Sequence, residues 1–403
     1  MLDTLRTRTD NDFITFEGMI VSADYIFPGN SAPIKNGVVE VNDKGVIIAV
    51  LDPAKHVINW NEVKVYKGII CPGFVNTHCH LELSYLKGKV AEKKQLTGFI
   101  KELMAIRENF STEERIEAIR RAEKEMINNG IAAVGDISNG NSTFVQKAKG
   151  NLQYHTFIEV FGTNTHAADA AMQAAQQLKA EYPNEQVSIV PHAPYSMSPT
   201  LVKKVVEVKE NMISIHNQET EDENKMFEQA EGAILKAMQH FAPEMHHFEP
   251  TGKSSLQSYL PHYFGIEKML LVHNTFTQKE DIAFAKNAPI DVYWCFCPNA
   301  NEFIEGTQPD YALFLNEKCT IGTDSYASNW SLSILDELKT ISNKNPDIPL
   351  EKLIKWGTYN GAQFLGFHQL GSIEKGKSPG LNLIENVQLG PFKLTEKSRV
   401  TCL

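Results

Sequence analysis

The sequence lacks long apolar runs, a cysteine framework and an excess of basic residues. No run reaches the roughly 20 apolar residues that a membrane-crossing helix needs. Six irregularly spaced cysteines in 403 residues are too few for a disulfide framework. Lys and Arg total 39 against 49 Asp and Glu, a net charge of −10, which is the wrong sign for a surface that binds phosphate backbones. We therefore expect no membrane partner, no nucleic-acid partner, and reduced thiols in a cytoplasmic protein.

The first residues also lack the apolar segment of a secretory signal. The stretch MLDTLRTRTDNDFITFEG carries charges every few positions and no apolar core of about 7 to 15 residues. The composition beyond it, with 42% hydrophobic and 22% charged residues, is that of an ordinary globular protein. The length is sufficient for two or three domains, or for one large barrel with an accessory domain.

The pattern of apolar and polar residues divides the chain into three parts. Residues 12–70 contain short β segments separated by turns, and residues 71–366 alternate apolar β-branched segments with helical stretches. Residues 367–403 return to short β signals with glycines. We predict an α/β fold in which 71–366 form a (β/α)8 TIM-type barrel, with a doubly wound open sheet as the competing layout. Segments 1–70 and 367–403 are predicted to form one small β domain together.

Eight segments of the middle part are candidate strands. They read IICPGFVNTH, IAAVGDIS, YHTFIEVFG, VSIVPHA, MISIHNQ, MLLVHNT, IDVYWCFCP and CTIGTDS. Between them, Ser111 and Glu114 predict a capping box at the start of a helix, and the pattern of 223–241 predicts one amphipathic helix. Residues 242–263 are longer than an ordinary loop and are a candidate lid.

Polar residues stand where these predicted strands end. Histidines, one of them with a nearby glutamate, stand at the ends of four strands, and an aspartate follows the last, as the positions His78, His80, His192, His216, Glu219, His273 and Asp324 show. In a (β/α)8 barrel the carboxyl ends of the strands converge on one mouth, where catalytic groups collect. Side chains far apart in the sequence are therefore expected to be neighbours.

Four of these residues form a set of metal ligands. His78 and His80 are two apart on an extended strand, so both imidazoles point to one face. His216 and Asp324 complete a set of nitrogen and oxygen donors that suits Zn²⁺, with Fe²⁺ or Mn²⁺ as alternatives. A metal in such a site lowers the pKa of bound water from about 15.7 toward 7 and supplies hydroxide at neutral pH.

The remaining polar residues are candidates for proton transfer and substrate contact. Asp324 is expected to accept the proton of the attacking water, Glu219 to carry protons to the substrate, and His273 to orient the water. His192 is a candidate for substrate contact, with a hydrogen-bonded core histidine as the alternative. Glu82, in HLELS, is either a second substrate contact or a solvated loop carboxylate. Trp330 either lines the pocket or packs.

The motifs PGFVNTHCHLELS, PHAPYSMSP, SIHNQETEDE, LVHNTFT, CPNAN, IGTDSYASN and TYNGAQFLG, in this order, resemble the amidohydrolase superfamily in its chlorohydrolase and deaminase branch. The resemblance covers most of the chain. It implies a (β/α)8 barrel, a composite β-sandwich built from both termini, and His78, His80, His216 and Asp324 around one metal. It also implies Glu219 and His273 as the catalytic pair. Binuclear branches carry a lysine at the fourth strand, where this chain has Pro191 and His192, so one divalent ion is expected.

The resemblance narrows the expected activity. Members of this branch release ammonia from purine, pyrimidine or triazine rings, so the chain is expected to be a hydrolytic deaminase of an aminated heterocycle, foremost an adenine-type nucleoside. The alternatives are a chlorohydrolase, a cyclic amidine or amide hydrolase, and an inactive metal-binding homologue. The motif CPNAN stands where the family usually has Cys-Pro-Arg-Ser-Asn: Asn299 replaces the arginine, while Asn301 is kept as a predicted substrate contact. The resemblance leaves open whether the protein forms a homodimer.

Overall fold

The computed structural model describes residues 18–403, and residues 1–17 of the predicted first segment lie outside them. Nineteen strands occur in the described chain. In chain order they are β1 Gly18–Ser22, β2 Tyr25–Ile26, β3 Ile34–Lys35, β4 Val38–Asn42, β5 Ile47–Leu51, β6 Lys64–Val65, β7 Ile69–Pro72, β8 Phe74–Cys79, β9 Ile131–Ser138, β10 Gln153–Val160, β11 Val187–Pro191, β12 Met212–Asn217, β13 Lys268–His273, β14 Asp291–Phe296, β15 Cys319–Ile321, β16 Leu381–Glu385, β17 Gln388–Leu389, β18 Phe392–Lys393 and β19 Arg399–Cys402.

Helices alternate with the strands of the middle part. In chain order they are α1 Gln95–Ile106, α2 Thr112–Asn128, α3 Phe144–Lys147, α4 Ala168–Glu181, α5 Pro199–Glu207, α6 Glu221–Gln229, α7 Ala233–Phe241, α8 Ser255–Tyr259, α9 Lys279–Lys286, α10 Pro298–Ile304, α11 Ile334–Lys344, α12 Leu350–Lys355 and α13 Gly361–Leu365. The capping box predicted from Ser111 and Glu114 is present at the start of α2. No helix among the described residues is long and apolar enough to cross a membrane.

Strands β8 to β15 form two four-stranded parallel sheets in sequential order, β8 to β11 and β12 to β15. Strands such as β8 and β11 are buried along their whole length, as expected for parallel strands covered by helices. Backbone hydrogen bonds link the two sheets: the amide of His216 donates to the carbonyl of His192 at 2.9 Å, and the amide of Asp324 to the carbonyl of His78 at 3.0 Å. These links bring all the carboxyl ends to one side of the molecule.

Strands from both ends of the chain pair with one another. One sheet has the order β19-β16-β7-β2-β3, in which β16 near the C-terminus pairs antiparallel with β7 near the N-terminus. A second sheet, β5-β4-β1-β6, contains strands of the N-terminal segment. The stretch predicted as a single strand, IICPGFVNTH, divides at Gly73 because its two halves belong to different sheets. A Cβ at Gly73 would lie 2.6 Å from the carbonyl oxygen of Pro379.

Candidate functional site

The predicted metal ligands meet at the carboxyl ends of the parallel strands. His78 lies in β8, His80 follows it, His216 lies in β12, and Asp324 follows β15. The Nε2 atoms of His78 and His80 are 3.2 Å apart. Asp324 Oδ1 lies 3.6 Å from His78 Nε2 and 3.4 Å from His80 Nε2. Nitrogens of His78, His80 and His216 all lie within 4.8 Å of one another.

This arrangement fits a divalent metal ion. A tetrahedron with metal–ligand bonds of about 2.0 to 2.1 Å has edges of about 3.3 to 3.4 Å, close to the separations between His78, His80 and Asp324. Imidazole nitrogens with one carboxylate oxygen are donors that zinc and other first-row metals accept. The residues present therefore fit a divalent metal ion and form a candidate site for one.

Neighbouring groups fix the orientation of the ligands. His216 Nδ1 lies 2.8 Å from the carbonyl oxygen of His192, so Nδ1 donates its hydrogen there and leaves Nε2 free to bind a metal. The hydroxyl of Ser328 donates to Asp324 Oδ2. A Cβ at Gly322 would lie 2.8 Å from His78 Cβ, so only glycine lets the chain after β15 pass this close to the first ligand.

Glu219 and His273 lie side by side next to the ligands. His273 Nε2 is 3.7 Å from Glu219 Oε1, and the imidazoles of His273 and His216 stack with centroids 5.5 Å apart. His273 Nδ1 donates to Asn301 Oδ1 at 2.9 Å, which leaves Nε2 unprotonated toward Glu219. The pair predicted from the sequence is therefore brought together at the metal site.

Burial sets the protonation of these groups. Loss of solvation lowers the pKa of His80 to about 3 and that of His273 to about 4. It also lowers the pKa of His216. The imidazoles are therefore neutral, as metal binding requires. Burial raises the pKa of Glu219 well above its ordinary value, with the charge of Asp324 adding to the effect. Burial acts on Asp324 in the same direction, but the imidazoles around it prevail and lower its pKa.

The predicted substrate contacts have different surroundings. The imidazole of His192 lies 4.9 Å from that of His216 and contacts the Ser196 hydroxyl at 2.9 Å. Glu82 accepts hydrogen bonds from the amide and side chain of Asn139 at 3.1 to 3.2 Å, and burial raises its pKa to about 7.

The other two predicted contacts bond to protein groups. Both side-chain hydrogen bonds of Asn301 are to His273. Trp330 is 45% exposed, donates from Nε1 to Glu92 at 2.9 Å, and packs against Phe303. The contacts of Trp330 are thus with Glu92 and Phe303 and not with the candidate metal ligands.

Sequence reasoning missed two buried acidic residues at this site. Glu159, near the end of β10, has Oε1 3.7 Å from His216 Nδ1, and that oxygen is buried without a hydrogen-bond partner. Asp136 Oδ1 accepts the amide of Leu81, immediately after His80, at 2.8 Å. The signal was present, because an acidic residue interrupts each of the apolar runs IAAVGDIS and FIEVFG, but both lie inside the predicted strands, whereas the histidines stand at the ends of theirs.

Comparison with known proteins matches this chain to one family. The profile described as "Amidohydrolase family" matches residues 69–401. An adenosine deaminase of Helicobacter pylori is 26% identical over 332 residues, which cover 78% of this chain and 78% of that protein. The residues matched by the family profile include all four candidate metal ligands.

Solved structures share the fold. The aminofutalosine deaminase of Helicobacter pylori superposes with a TM-score of 0.76 at 21% identity, covering 94% of this chain and 93% of that chain. An adenosine deaminase of Xanthomonas campestris with bound zinc gives a TM-score of 0.70 at 19% identity, covering 92% and 85% of the two chains. At these identities the likeness concerns the fold, which is of the TIM-barrel type.

Proposed function

Because this chain belongs to the amidohydrolase family and is a hydrolase of carbon–nitrogen bonds, we propose that it is a metal-dependent deaminase of an adenine-type nucleoside. The observation that carries the proposal is the pair formed by Glu219 and His273, with 3.7 Å between Oε1 and Nε2. Release of ammonia from a heterocycle needs a proton for the ring and the leaving group as well as an attacking water. Burial raises the pKa of Glu219, which favours the protonated carboxyl, and we propose Glu219 as the source of that proton.

The residues divide the chemistry among them. His78, His80, His216 and Asp324 would hold the ion, for which we propose Zn²⁺, with Fe²⁺ or Mn²⁺ as alternatives. When bound, a divalent metal activates water for attack. Ionised Asp324 accepts a proton from the attacking water, and His273 Nε2 orients that water.

Glu219 completes the reaction by delivering protons to the substrate. It first protonates a ring nitrogen as the carbon–oxygen bond forms. It then takes the proton of the new hydroxyl group and passes it to the amine, which leaves as ammonia when the carbon–nitrogen bond breaks, and the proton held by Asp324 restores the Glu219 carboxyl. We propose that His192 and Glu82 contact the rest of the substrate, and we keep Asn301 and Trp330 as candidate contacts.

We also propose the finer organisation of the molecule. The hydrogen bonds from His216 to His192 and from Asp324 to His78 support closure of β8 to β15 into an eight-stranded barrel over residues 71–366. The pairing of β7 with β16 supports one β-sandwich assembled from 1–70 and 367–403, with β7 crossing the boundary. We further propose a cytoplasmic enzyme whose partner is a small heterocyclic substrate, acting as a monomer or a homodimer.

An ammonia-release screen of zinc-loaded protein tests this function. Adenosine derivatives, guanine, cytosine and triazines form the panel, and we expect turnover of the adenosine derivatives. Glu219→Gln should retain the zinc content of the wild type and lower kcat by roughly 10² to 10⁴, the usual contribution of a general acid–base group. Turnover of Glu219→Gln at the wild-type rate would remove Glu219 from the mechanism. Halide release without ammonia release would identify a chlorohydrolase instead.

A further inference from the structure

Helix α8, in the segment 242–263, and the residue that caps it form hydrogen bonds to the end of β12 and to α6 and α9, the helices that follow β12 and β13. Ser255 Oγ donates to Glu223 Oε1 at 2.6 Å, and the hydroxyl of Tyr259 donates to Asn217 Oδ1 at 2.8 Å. The residue that caps α8, Ser254, donates to Asp281. These donors come from a segment whose length suggests a lid, yet Ser255 is fully buried.

The turns that lead from β12 into α6 and from β13 into α9 contain strained backbone. Gln218, His273 and Asn274 all have positive φ angles, at 45°, 75° and 58°. Each such residue costs on the order of 1 to 3 kcal/mol and persists only where the surroundings over-determine it. Glu219 directly follows the first of these residues, and His273 is itself the second. The positions of Glu219 and His273 therefore depend on the contacts that keep these two turns in their strained conformation.

One path of hydrogen bonds runs from α8 to the turn of Glu219. The carboxylate of Glu223, which accepts the Ser255 hydroxyl, also accepts the backbone amide of Gln218 at 3.0 Å. The side chain of Gln218 is held in turn by Asp281 Oδ2 at 2.9 Å. Gln218 and Glu223 are fully buried, so water cannot replace these bonds.

A second path runs to the turn of His273. Asn217, whose Oδ1 accepts the Tyr259 hydroxyl, donates from Nδ2 to Asn274 Oδ1 at 2.9 Å. The backbone amide of Asn274 donates to the carbonyl of Asn217 at 3.0 Å. Tyr259 is thus linked through one side chain to the residue that follows His273.

We propose that α8 is a fixed support that positions Glu219 and His273 for proton transfer, with Ser255 and Tyr259 as its positioning residues. Opening α8 like a lid would leave several buried polar groups without partners, at about 1 to 3 kcal/mol for each group. The kinetic part of this proposal rests on the proposed deaminase function, whereas its structural part does not.

The test removes only the hydroxyls of Ser255 and Tyr259, with which the two hydrogen-bond paths from α8 to the turns begin. Tyr259→Phe and Ser255→Ala keep the ring and the helix, and the double variant combines them. Ser258→Ala is the matched control, because that hydroxyl lies on the same helix and bonds to Ser254 O at 2.7 Å within the segment. Tyr263→Phe is the second control, since Tyr263 is buried in the same segment.

Three measurements are made on each zinc-loaded variant: steady-state ammonia release, zinc content, and hydrogen exchange of the peptide 217–224. In the double variant we expect kcat to fall 10- to 100-fold with KM within twofold, because a displacement of about 1 Å can cost 10²-fold in rate. Exchange of 217–224 should be at least tenfold faster. Zinc content should stay at the wild-type value, and both controls should match the wild type.

The proposal is overturned if exchange of 217–224 in the double variant equals that of Ser258→Ala. It is also overturned if exchange accelerates while kcat stays within twofold of the wild type, or if kcat falls only as far as the folded fraction measured by circular dichroism. Should the wild type release ammonia from no compound of the panel, the proposed function fails, and the exchange comparison alone decides whether α8 supports the turns.

Discussion

At the scale of single residues, Asp136 connects a buried cation to the metal site. Its Oδ2 lies 2.6 Å from Lys147 Nζ, and both side chains are fully buried. Lys147 also donates to the hydroxyls of Ser138 and Thr156 at 3.0 Å each. The other carboxylate oxygen accepts the amide of Leu81, which follows His80. The ion pair thus anchors the chain immediately after His80, the second of the proposed metal ligands.

Removing the charge of Asp136 should destabilise the protein strongly. In Asp136→Asn the ammonium of Lys147 stays buried without a counter-charge, so we expect the free energy of unfolding to fall by roughly 3 to 5 kcal/mol. Adding Lys147→Met should recover part of that loss, because no unpaired charge remains. Urea unfolding of both proteins measures the two values.

A half-exposed ion pair provides the control for this experiment. Lys344 pairs with Glu302, and Lys344→Met should change the free energy of unfolding by no more than about 1 kcal/mol. A loss for Asp136→Asn as small as that of the control would mean that the buried pair does not anchor the site.

The surroundings of a residue could be predicted from the sequence only where they are formed by residues close to it in the chain. The proximity of His78 and His80 could be predicted because two imidazoles two residues apart on a strand share a face. Asp136 could not, because its role depends on Lys147, at the end of α3, and on Leu81, which the pairing of β8 with β9 brings to it. Burial of a carboxylate is a property of the packing around it.

At the scale of elements, the predicted helix over 223–241 is two helices, α6 and α7. The apolar periodicity continues through both, but Ala230 has a left-handed backbone at the end of α6, and Gly232 has φ 99°. Asp222 Oδ2 accepts the amide of Ala233 at 3.0 Å and so starts α7. The apolar periodicity predicts the buried face of both helices. The break between them depends on the contact of Ala233 with Asp222, which periodicity does not reveal.

Gly232→Ala tests this break. A Cβ at Gly232 would lie 3.0 Å from Asp222 Oδ1, and the positive φ is itself unfavourable for alanine. We expect a loss of about 1 to 3 kcal/mol in the free energy of unfolding, with the zinc content unchanged because the break carries no ligand. Gly140→Ala, where a Cβ meets nothing within 4 Å, should change stability by no more than about 0.5 kcal/mol. Equal values for the two variants would argue that α6 and α7 can join without strain.

At the scale of the whole molecule, the class of fold could be predicted from the sequence more completely than the pairing of strands within it. Alternating strands and helices predicted an α/β fold, and the order of the parallel strands follows the chain. The division of IICPGFVNTH between two sheets could not be predicted, since nothing in those residues distinguishes a strand paired with β16 from one paired with β9. Long-range pairing is a property of the complete fold.

The buried titratable groups act on overall stability in opposite directions. Burial raises the pKa of Glu337 well above its ordinary value, and it lowers the pKa of His155 to about 3. Glu337 accepts the amide of Asn299 at 2.8 Å, and His155 contacts the hydroxyl of Ser188 at 2.9 Å. Neither residue is a metal ligand, so their effects can be measured in metal-free protein.

The direction of each effect follows from which state binds more protons. Folded Glu337 keeps its proton after the unfolded chain has lost it near pH 4.5, so its contribution is complete below that pH and is lost as the pH rises. Folded His155 stays neutral after the unfolded chain has been protonated near pH 6.5, so its contribution is complete above that pH and is lost as the pH falls. Each effect amounts to about 1.4 kcal/mol per pH unit while the two states differ by a full proton.

Glu337→Gln and His155→Gln should therefore change stability with opposite pH dependence. Relative to the wild type, the free energy of unfolding of Glu337→Gln should increase from pH 5 to pH 8, because the variant has no carboxyl to ionise in the unfolded state. That of His155→Gln should increase from pH 7 to pH 5, because the variant has no imidazole to protonate. Urea unfolding of metal-free proteins at each pH measures both differences. A difference that does not vary with pH would show that the replaced group titrates alike in the folded and unfolded chains, and that its burial is relieved by water.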